Sequence, residues 1–396
     1  MHNGISRRLL VLSALSVLLF ACSDDPTEEN ALLTPHLPFA EMAIRETTLV
    51  ADSGSTFKEV TAMDANVNLV GKTGNYTATM LLGFYASYFP TRDTVNVLSA
   101  TLYLRGASFY GDSTGLVGFT IHRANKSWSS STFTWDSLQS DLYDAAVIRG
   151  SYSGRIGVDS ELVEIQLDTA MAREWLASTT ESEYTLRYGI ILVPTAEATV
   201  VRGFQSFESD SSNWVPQVRL ICQNVAGTVK DTATYSLGAD TFVGNIDNLN
   251  TDPTLFYTQA GVSYRSIVNF DVGFIPRGAI VNSAILTLEA NPAACMLNRF
   301  AEDTSLAIHL MTSSSSTSSF DATSSAALLV PGSKTTYTAD IASQVQSWVR
   351  GPNYGALIRT YGGREFRSVD RVVLYNHAAE NSRKPRLKII YSVPKN

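Results

Sequence analysis

The sequence predicts an all-β protein made of two tandem jelly-roll-like β-sandwiches, each with one short helix. Three observations predict this fold. Many short segments alternate polar and apolar residues with a period of two, which is typical of half-buried strands. The segments between them are rich in turn-forming residues and show no βαβ spacing. The second half of the chain also repeats the pattern of the first.

The clearest strand is the segment VNVLSATLYLRG. Its apolar residues Leu98, Ala100, Leu102 and Leu104 alternate with more polar ones, so one face is predicted to lie against a core and the other to face solvent. The segment VNSAILTLEA, residues 281–290, has the same pattern and the same place in the second half.

Further segments match in the same order along the two halves. MLLGFYASYFP matches SIVNFDVGFIP, which pairs Phe84 with Phe270, and FTIHRA matches LAIHLM, which pairs His122 with His309. The closing segments QVRLI and PRLKII match as well. A repeat of roughly 170 residues is too long for a solenoid unit, so it indicates a domain duplication.

Each half contains one short segment with helical periodicity. In DIASQVQSWVRGP, Asp340 is predicted as the N-cap, and Val345 and Trp348 share one face. LDTAMAREWLAS aligns with it, with Asp168 as the cap and Trp175 opposite Trp348. We predict that both tryptophans are core residues of helices that plug the open ends of the sandwiches.

The first residues predict a bacterial lipoprotein signal peptide at residues 1–21. Arg7 and Arg8 precede an apolar run that ends in Leu-Phe-Ala-Cys, the form of a lipobox, which makes Cys22 the expected lipid anchor. Simple secretion is the alternative. The acidic residues after Cys22 include Ser-Asp-Asp, which resembles an export signal of surface lipoproteins. We therefore expect an outer-membrane anchor, with the protein facing the cell exterior.

Composition and the repeat suggest the domain boundaries. The helix and the closing strand each occur once per copy, so each copy is expected to form its own core. The expected segments are an acidic flexible tether at 22–46, β-sandwich domain 1 at 47–222, a linker at 223–228 and β-sandwich domain 2 at 229–396.

The charge balance argues against nucleic acid as a partner. The chain has 30 Lys and Arg against 37 Asp and Glu, and loss of Arg7 and Arg8 with the signal peptide leaves 28 against 37. No basic patch or stripe is present in the sequence. The expected partners are the membrane, through the N-terminal lipid, and polysaccharide or surface proteins.

Two cysteines remain besides the expected anchor. Cys222 ends the segment QVRLIC, where Val218 and Leu220 share its face, which favours a buried apolar role. Cys295 lies in a loop-like segment. An oxidising compartment would permit one disulfide between them, and their spacing does not decide whether it forms.

The sequence contains none of the common catalytic motifs. It has no G-x-S-x-G elbow, H-E-x-x-H pair, Gly-rich phosphate loop or C-x-x-C pair, and its five histidines lack metal-ligand spacing. The facing carboxylates of a glycosidase cannot be recognised from sequence. We therefore predict no enzymatic activity.

One loop offers oxygen donors for a cation. NIDNLNTD contains Asn245, Asp247, Asn250 and Asp252, whose side chains are of the type that binds calcium. Their spacing does not match an EF-hand, and a polar turn is the other interpretation. Calcium is the one cofactor that the sequence suggests.

Aromatic residues outside the predicted core faces are candidates for sugar binding. A sugar site combines exposed aromatic faces with nearby polar groups, so the candidates matter only if they cluster on one face. They are Tyr85, Tyr88, Tyr103, Tyr110, Trp128 and Trp135.

Taken together, these segments resemble the DNRLRE-type domain, a jelly-roll module of secreted bacterial proteins. In the second half, the resemblance rests on YRSIVNFDVGFIPRGAIVNSAILTLEA, TADIASQVQSWVRGPNYGALIR and KPRLKIIYS. In the first half, it rests on Phe84, Trp175, Pro216 and the segment SWSSSTFTW. The resemblance implies two copies of a domain similar to carbohydrate-binding modules.

The leading hypothesis is a surface-anchored, non-catalytic lipoprotein that binds polysaccharide or mediates cell-surface adhesion. Two alternatives belong to other classes: a structural envelope or matrix protein that binds other proteins, and a polysaccharide-degrading enzyme.

Overall fold

The chain is described here from a computed structural model, which covers residues 41–395 except 64–65, 86–94, 158, 178–187, 208–214, 248, 250–251, 298–303, 315–318, 323–326 and 332–334. Strands dominate this part of the chain, and its α-helices are short, with α1 at Thr169–Ala177 and α2 at Ala342–Arg350. The predicted all-β class is confirmed.

The strands are numbered along the chain. They are β1 (Met42–Val50), β2 (Ser53–Lys58), β3 (Val67–Thr73), β4 (Tyr76–Tyr85), β5 (Val95–Gly111), β6 (Val117–Arg123), β7 (Gly150–Gly154), β8 (Leu162–Leu167), β9 (Ile190–Pro194), β10 (Val200–Gln205), β11 (Gln217–Asn224), β12 (Lys230–Ile246), β13 (Leu255–Gln259), β14 (Tyr264–Asn269), β15 (Ile280–Glu289), β16 (Leu306–Leu310), β17 (Ala327–Pro331), β18 (Thr336–Asp340), β19 (Ala356–Thr360), β20 (Arg371–Tyr375) and β21 (Arg386–Pro394).

The strands form two antiparallel sheet systems, which we name the first and the second unit. The first unit has the order β10-β3-β4-β12-β11-β5-β8-β7-β6-β9, and the additional pairing of β4 with β9 closes eight of its strands into a ring. The second unit has the order β1-β21-β15-β18-β17-β16-β19-β14-β13-β20, with β2 paired to β14. In the second unit, β17 joins the two layers because it pairs with both β16 and β18.

The first two strands of the chain belong to the second unit. β1 pairs with β21 from Met42 opposite Pro394 to Val50 opposite Arg386, and β2 pairs with β14. In the first unit, the long strand β12 fills both of the equivalent places, beside β11 and beside β4. Each half of the repeat therefore contributes its opening strand to the sheet of the other half.

This strand exchange crosses the boundaries expected from the sequence. β1 begins at Met42, within the segment 22–46 that was expected to be a tether, and β12 pairs in the first unit although it lies within 229–396. The expected domains remain predictions about how the repeat is organised along the chain. In the structure, the opening strands β1 and β2 pair with β21 and β14, which belong to the second half of the chain.

Each unit has its own hydrophobic core, and the helix tryptophans belong to these cores. Trp175 is 1% exposed and Trp348 is 3% exposed. The prediction that both are core residues is confirmed. Removal of such a side chain typically costs about 3–5 kcal/mol of stability.

The helix caps differ slightly between prediction and structure. Asp168 and Asp340 accept the backbone N–H groups of Ala170 and Ala342 at 2.8 and 2.9 Å. Asp340 was expected to be the N-cap of α2, but the cap position is held by Ile341, because Asp340 still pairs in β18. Its carboxylate reaches the helix from one residue further out.

Leu98 in β5 faces solvent, although the alternation predicted that it faces the core. Leu98 is 44% exposed, whereas Val97 is 3% exposed and lies in the core. The pairing of β5 with β11 shifts register at this point, where Ile221 lies opposite Ser99 and Cys222 lies opposite Val97. The extra residue of a β-bulge turns Leu98 outward.

The two units contact each other through buried groups. Val262 and Val369 of the second unit pack into the core cluster of the first. The hydroxyl groups of Tyr110 and Ser368 lie 3.3 Å apart, and the backbone N–H of Val369 donates to the Tyr110 hydroxyl at 3.4 Å. Buried side chains of both units therefore share one apolar cluster at this contact.

Cys22, the expected anchor, lies outside the described residues, as does the expected signal peptide. In the described part of the chain, no helix has both the length and the apolar character that a membrane crossing requires.

Candidate ligand-binding surface

An aromatic cleft of about 390 Å³ opens on the outer face of the first unit. Four aromatic residues line it: Phe84, which is buried in the core, and Tyr85, Trp128 and Tyr188, which are not buried. Backbone at several glycines forms much of the remaining wall, together with the small side chains of Ser127 and Ala239. We name this site the aromatic cleft.

One hydrogen bond joins the Trp128 side chain to the backbone of Tyr188. The indole Nε1 of Trp128 donates to the backbone carbonyl of Tyr188 at 2.7 Å. Tyr188 has a φ of 63°, a left-handed conformation that is uncommon outside glycine. Gly189 follows with a φ of 75°, and a Cβ there would lie 1.9 Å from the Leu82 carbonyl. This turn is therefore sterically determined before any ligand binds.

The side chain of Tyr85 is placed by a bulge in β12. Tyr85 ends β4 on its outer face and is 43% exposed. Opposite it, the register of β12 shifts between Leu237 and Ala239, which leaves Gly238 as the extra residue. A Cβ on Gly238 would lie 2.7 Å from the Tyr85 ring, so glycine is needed for the ring to occupy this position.

The loop that carries Trp128 covers the outer face of the sheet. Phe133 and Leu142 are buried there against Leu81 and Ile191, and the rings of Trp128 and Phe133 meet edge to face at 6.2 Å. We name these apolar residues the outer apolar cluster. The outer apolar cluster packs this loop onto the strands beneath it, so Trp128 lies on a rigid support.

A second, smaller groove of about 240 Å³ lies around Tyr103. The guanidinium carbon of Arg219 lies 4.8 Å from the centre of the Tyr103 ring, within the range of a cation–π contact. Arg105, Glu164 and Gln217 also line the groove, and Nη1 of Arg105 donates to the Ser160 carbonyl at 3.0 Å. We name this site the Tyr103 groove.

The structure separates the aromatic residues that were grouped from sequence. Tyr85 and Trp128 line the aromatic cleft, and Tyr103 lies in its own groove. Trp135 packs against the outer apolar cluster rather than lining either site. Tyr110 is 4% exposed and contacts Ser368, so burial between the units removes it from the surface. Tyr88 lies outside the described residues.

Tyr188 is the exposed aromatic residue of the cleft that the candidate list lacks. In the sequence, Tyr188-Gly189 in the first half recurs as Tyr354-Gly355 in the second. A glycine after a polar or aromatic residue at the end of a segment is typical of a left-handed turn, and turns usually lie at the surface. The Tyr-Gly pair is therefore the sequence signal that could have identified Tyr188 as a surface residue.

The candidate calcium residues make hydrogen bonds of other kinds. Asn245 donates from Nδ2 to Asp247 at 2.9 Å and accepts from Lys58 at 2.9 Å. Asp252 accepts from the backbone and hydroxyl of Thr254, and these bonds lower the pKa of its carboxyl group. Asn250 lies outside the described residues. Across the described chain, no three His, Cys, Asp or Glu side chains are grouped as metal ligands.

The cysteines and paired histidines have structural environments. Cys222 and Cys295 are free thiols, and burial raises the pKa of both. His122 is buried, and its Nδ1 lies 3.1 Å from the Asp144 carbonyl. His309 is buried at the matching strand position of the second unit. Both histidines therefore lie in buried, hydrogen-bonded environments.

Comparison with known proteins gives no family assignment: no family model matches the chain, and no curated protein matches it.

Proposed function

We propose that this chain is a surface-anchored, non-catalytic lipoprotein that binds polysaccharide in the aromatic cleft. The observation that carries the proposal is the convergence of Tyr85, Trp128 and Tyr188 on one cavity with a glycine-rich wall. Cys22 would hold the protein in the outer membrane, facing the cell exterior.

Sugar rings suit this cleft for a physical reason. A pyranose has faces of C–H groups that pack on aromatic rings and an edge of hydroxyl groups that need hydrogen-bond partners. Ser127, the tyrosine hydroxyls and exposed backbone groups can supply those partners. Because the Trp128 indole is already hydrogen-bonded to the Tyr188 backbone and Gly238 leaves room for the Tyr85 ring, binding needs little rearrangement of the cleft wall.

The lining of the aromatic cleft supports binding rather than hydrolysis. Glycoside hydrolysis generally requires two carboxyl groups on either side of the scissile bond. Among the described residues that line the cleft, none is Asp, Glu or His.

The finer fold assignment forms part of the same proposal. We propose that both units are jelly-roll-like sandwiches of the DNRLRE type. The two layers joined through β17, the packed helix of each unit and the matched strands of the repeat support this assignment.

Affinity electrophoresis of residues 22–396, with Cys22→Ala to prevent lipidation, tests the proposal. The gels would contain xylan, mannan, hydroxyethyl cellulose or polygalacturonate. Retention by at least one polymer is expected, and Trp128→Ala should weaken it by at least about tenfold, the usual loss for a buried aromatic anchor. The matched control is Tyr354→Ala, which changes the equivalent turn of the second unit.

Two results would contradict the proposal. Equal retention of the Trp128→Ala variant and the parent would show that the cleft is not the binding site. Release of reducing ends from any of the four polymers would contradict the non-catalytic assignment.

A further inference from the structure

One row of side chains connects the aromatic cleft to the Tyr103 groove. Tyr85 on β4 pairs with Ser236 on β12, Ser236 pairs with Gln217 on β11, and Gln217 pairs with Tyr103 on β5. Tyr103 in turn pairs with Glu164 on β8. Directly paired residues lie on the same face of a sheet, so all five side chains belong to the outer face.

Burial confirms that this row faces outward. The neighbours of the row along each strand are core residues: Phe84 is 2% exposed, and Val218 and Leu102 are 0% exposed. Tyr85 and Glu164 are exposed, and the alternation of strands places them opposite these core neighbours. The bulge at Gly238 comes two residues after Ser236, so it does not change the face of this row.

The row sets the distance between the two sites. Three strand spacings separate Tyr85 from Tyr103, which gives about 14 Å along the sheet. A single sugar in the aromatic cleft therefore cannot reach the groove, whereas an extended chain of several sugars can. Ser236 and Gln217, which lie between the two tyrosines, are polar and can contact the hydroxyl groups of such a chain.

The Tyr103 groove has the chemistry of a second sugar subsite. Its ring is held on a strand, and Arg219 lies over it at 4.8 Å. Arg105 and Arg219 provide N–H donors, and Glu164 and Gln217 provide acceptors, around one aromatic side chain. The second unit does not repeat this set: Thr287 stands at the position of Tyr103 and Glu289 at that of Arg105.

We infer that the Tyr103 groove is a second subsite for the same ligand, so that an extended polysaccharide chain crosses the strands from the aromatic cleft to Tyr103. The inference rests on the proposed function of the cleft and adds the direction and minimum length of the ligand. It predicts recognition of a stretch of polymer, with affinity that rises once the chain is long enough to reach Tyr103.

Titration calorimetry with a size series tests this inference. The probes are the disaccharide, tetrasaccharide and octasaccharide of xylose, mannose, glucose and galacturonate. The parent protein should bind the octasaccharide of at least one sugar at least tenfold more tightly than its disaccharide. Tyr103→Ala should remove most of that difference and leave disaccharide affinity unchanged. Thr287→Ala, at the same strand position of the second unit, is the matched control and should change neither.

The outcomes separate this inference from the proposal on which it rests. If Trp128→Ala weakens all oligosaccharides but Tyr103→Ala and Arg219→Met leave the octasaccharide unaffected, the second subsite is wrong and the cleft stands. Equal weakening of disaccharide and octasaccharide by Tyr103→Ala also overturns it. If no oligosaccharide binds, or Trp128→Ala has no effect, the proposed function itself fails. Circular dichroism of each variant confirms that the fold is kept.

Discussion

In each unit, side chains cover the outer face of the corresponding strand, but the covering is apolar in the first unit and charged in the second. In the first unit, the outer apolar cluster covers β9 with Phe133, Leu142 and neighbouring side chains. In the second unit, a buried ion network covers β19, where Glu365 is 1% exposed and binds both Arg265 and Arg359. The repeat places Thr79 opposite Arg265 in the alignment of the two halves.

The ion network is fully hydrogen-bonded around its carboxylate. Arg265 donates to Glu365 from two nitrogens at 2.8 and 3.2 Å, and Arg359 donates to it at 2.6 Å. Nε of Arg359 also lies 3.2 Å from Nε2 of His309. Such a network tolerates the loss of one member poorly, because the remaining charges stay buried.

The comparison shows that the two units share much of their strand framework but not its covering. His122 and His309 occupy matching strands, yet one lies beside Tyr143 and the other beside Arg359. A covering of loop and apolar side chains allowed the first unit to form the aromatic cleft at its edge. In the second unit, charged side chains cover the corresponding strand, so we expect this unit to be the more sensitive one to removal of a charge.

The largest expected effect concerns the exchanged strands. Removal of residues 42–58 should expose the edges of β21 and β14 and unfold the second unit, whereas the first unit keeps β12. Hydrogen exchange should show loss of protection in β21 and persistence in β11. A synthetic peptide of residues 41–59 should restore protection. Unchanged protection of β21 in the truncated protein would contradict the exchange.

The ion network should account for the next largest effect. Glu365→Ala leaves two buried guanidinium groups without their carboxylate, and we expect a loss of about 3–5 kcal/mol in the second unit. Urea unfolding followed by hydrogen exchange in β19 measures it. Glu46→Ala is the control, because its pair with Lys388 is exposed and should contribute less than about 1 kcal/mol. Equal effects of the two substitutions would show that burial does not govern the network.

A smaller loss is expected from the apolar covering. Phe133→Leu keeps an apolar side chain but leaves a small gap beneath Trp128, which should cost about 1–1.5 kcal/mol. Because the indole rests against this ring, ligand affinity in the cleft should fall with stability. Denaturation and calorimetry on the same variant measure both. An affinity loss without any stability loss would show that Phe133 acts on the ligand directly.

The smallest expected effect is a pH dependence in the second unit. Burial and the positive charge of Arg359 lower the pKa of His309, although the hydrogen bond to the Asp321 carbonyl and the charge of Glu365 oppose this. Below the ordinary pKa of about 6.5, the unfolded chain binds a proton that the folded chain does not, so stability should fall with decreasing pH in this range. The urea midpoint should therefore decrease from neutral pH to about pH 5, and less so in His309→Gln. The same slope in both proteins would assign it to other groups.

The sequence predicted the strands and helices better than it predicted which strands pair with each other. Alternation correctly identified the core face of β15, and helical spacing identified Trp175 and Trp348, because both patterns depend on local geometry. Alternation shows which face is buried but not which strand lies beside it, so the exchange of β1 and β12 was missed. The outward turn of Leu98 depended on a bulge that has no signature in composition.

The candidate site was predicted in part for the same reason. Tyr85 and Trp128 could be identified as surface aromatic residues, but their convergence depends on the Tyr188 turn and on Gly238. Tyr110 was also a candidate, but it lies in the core cluster of the first unit and contacts Ser368, 258 positions away. Contacts at such distances follow from the packing of the two units, which single-chain patterns do not encode.

The pairing of β1 with β21 has a mechanical consequence. Met42 lies opposite Pro394, and Lys395 binds Glu41 through both its backbone N–H and its side chain. A pull on the chain before Glu41 that is directed away from the sheet would load one residue pair at a time, and such peeling needs less force than sliding whole strands past each other. Little of this load would reach the aromatic cleft, because β12, and not β1, completes the sheet of the first unit. Such a pull would release β1 from β21 while the aromatic cleft kept its shape.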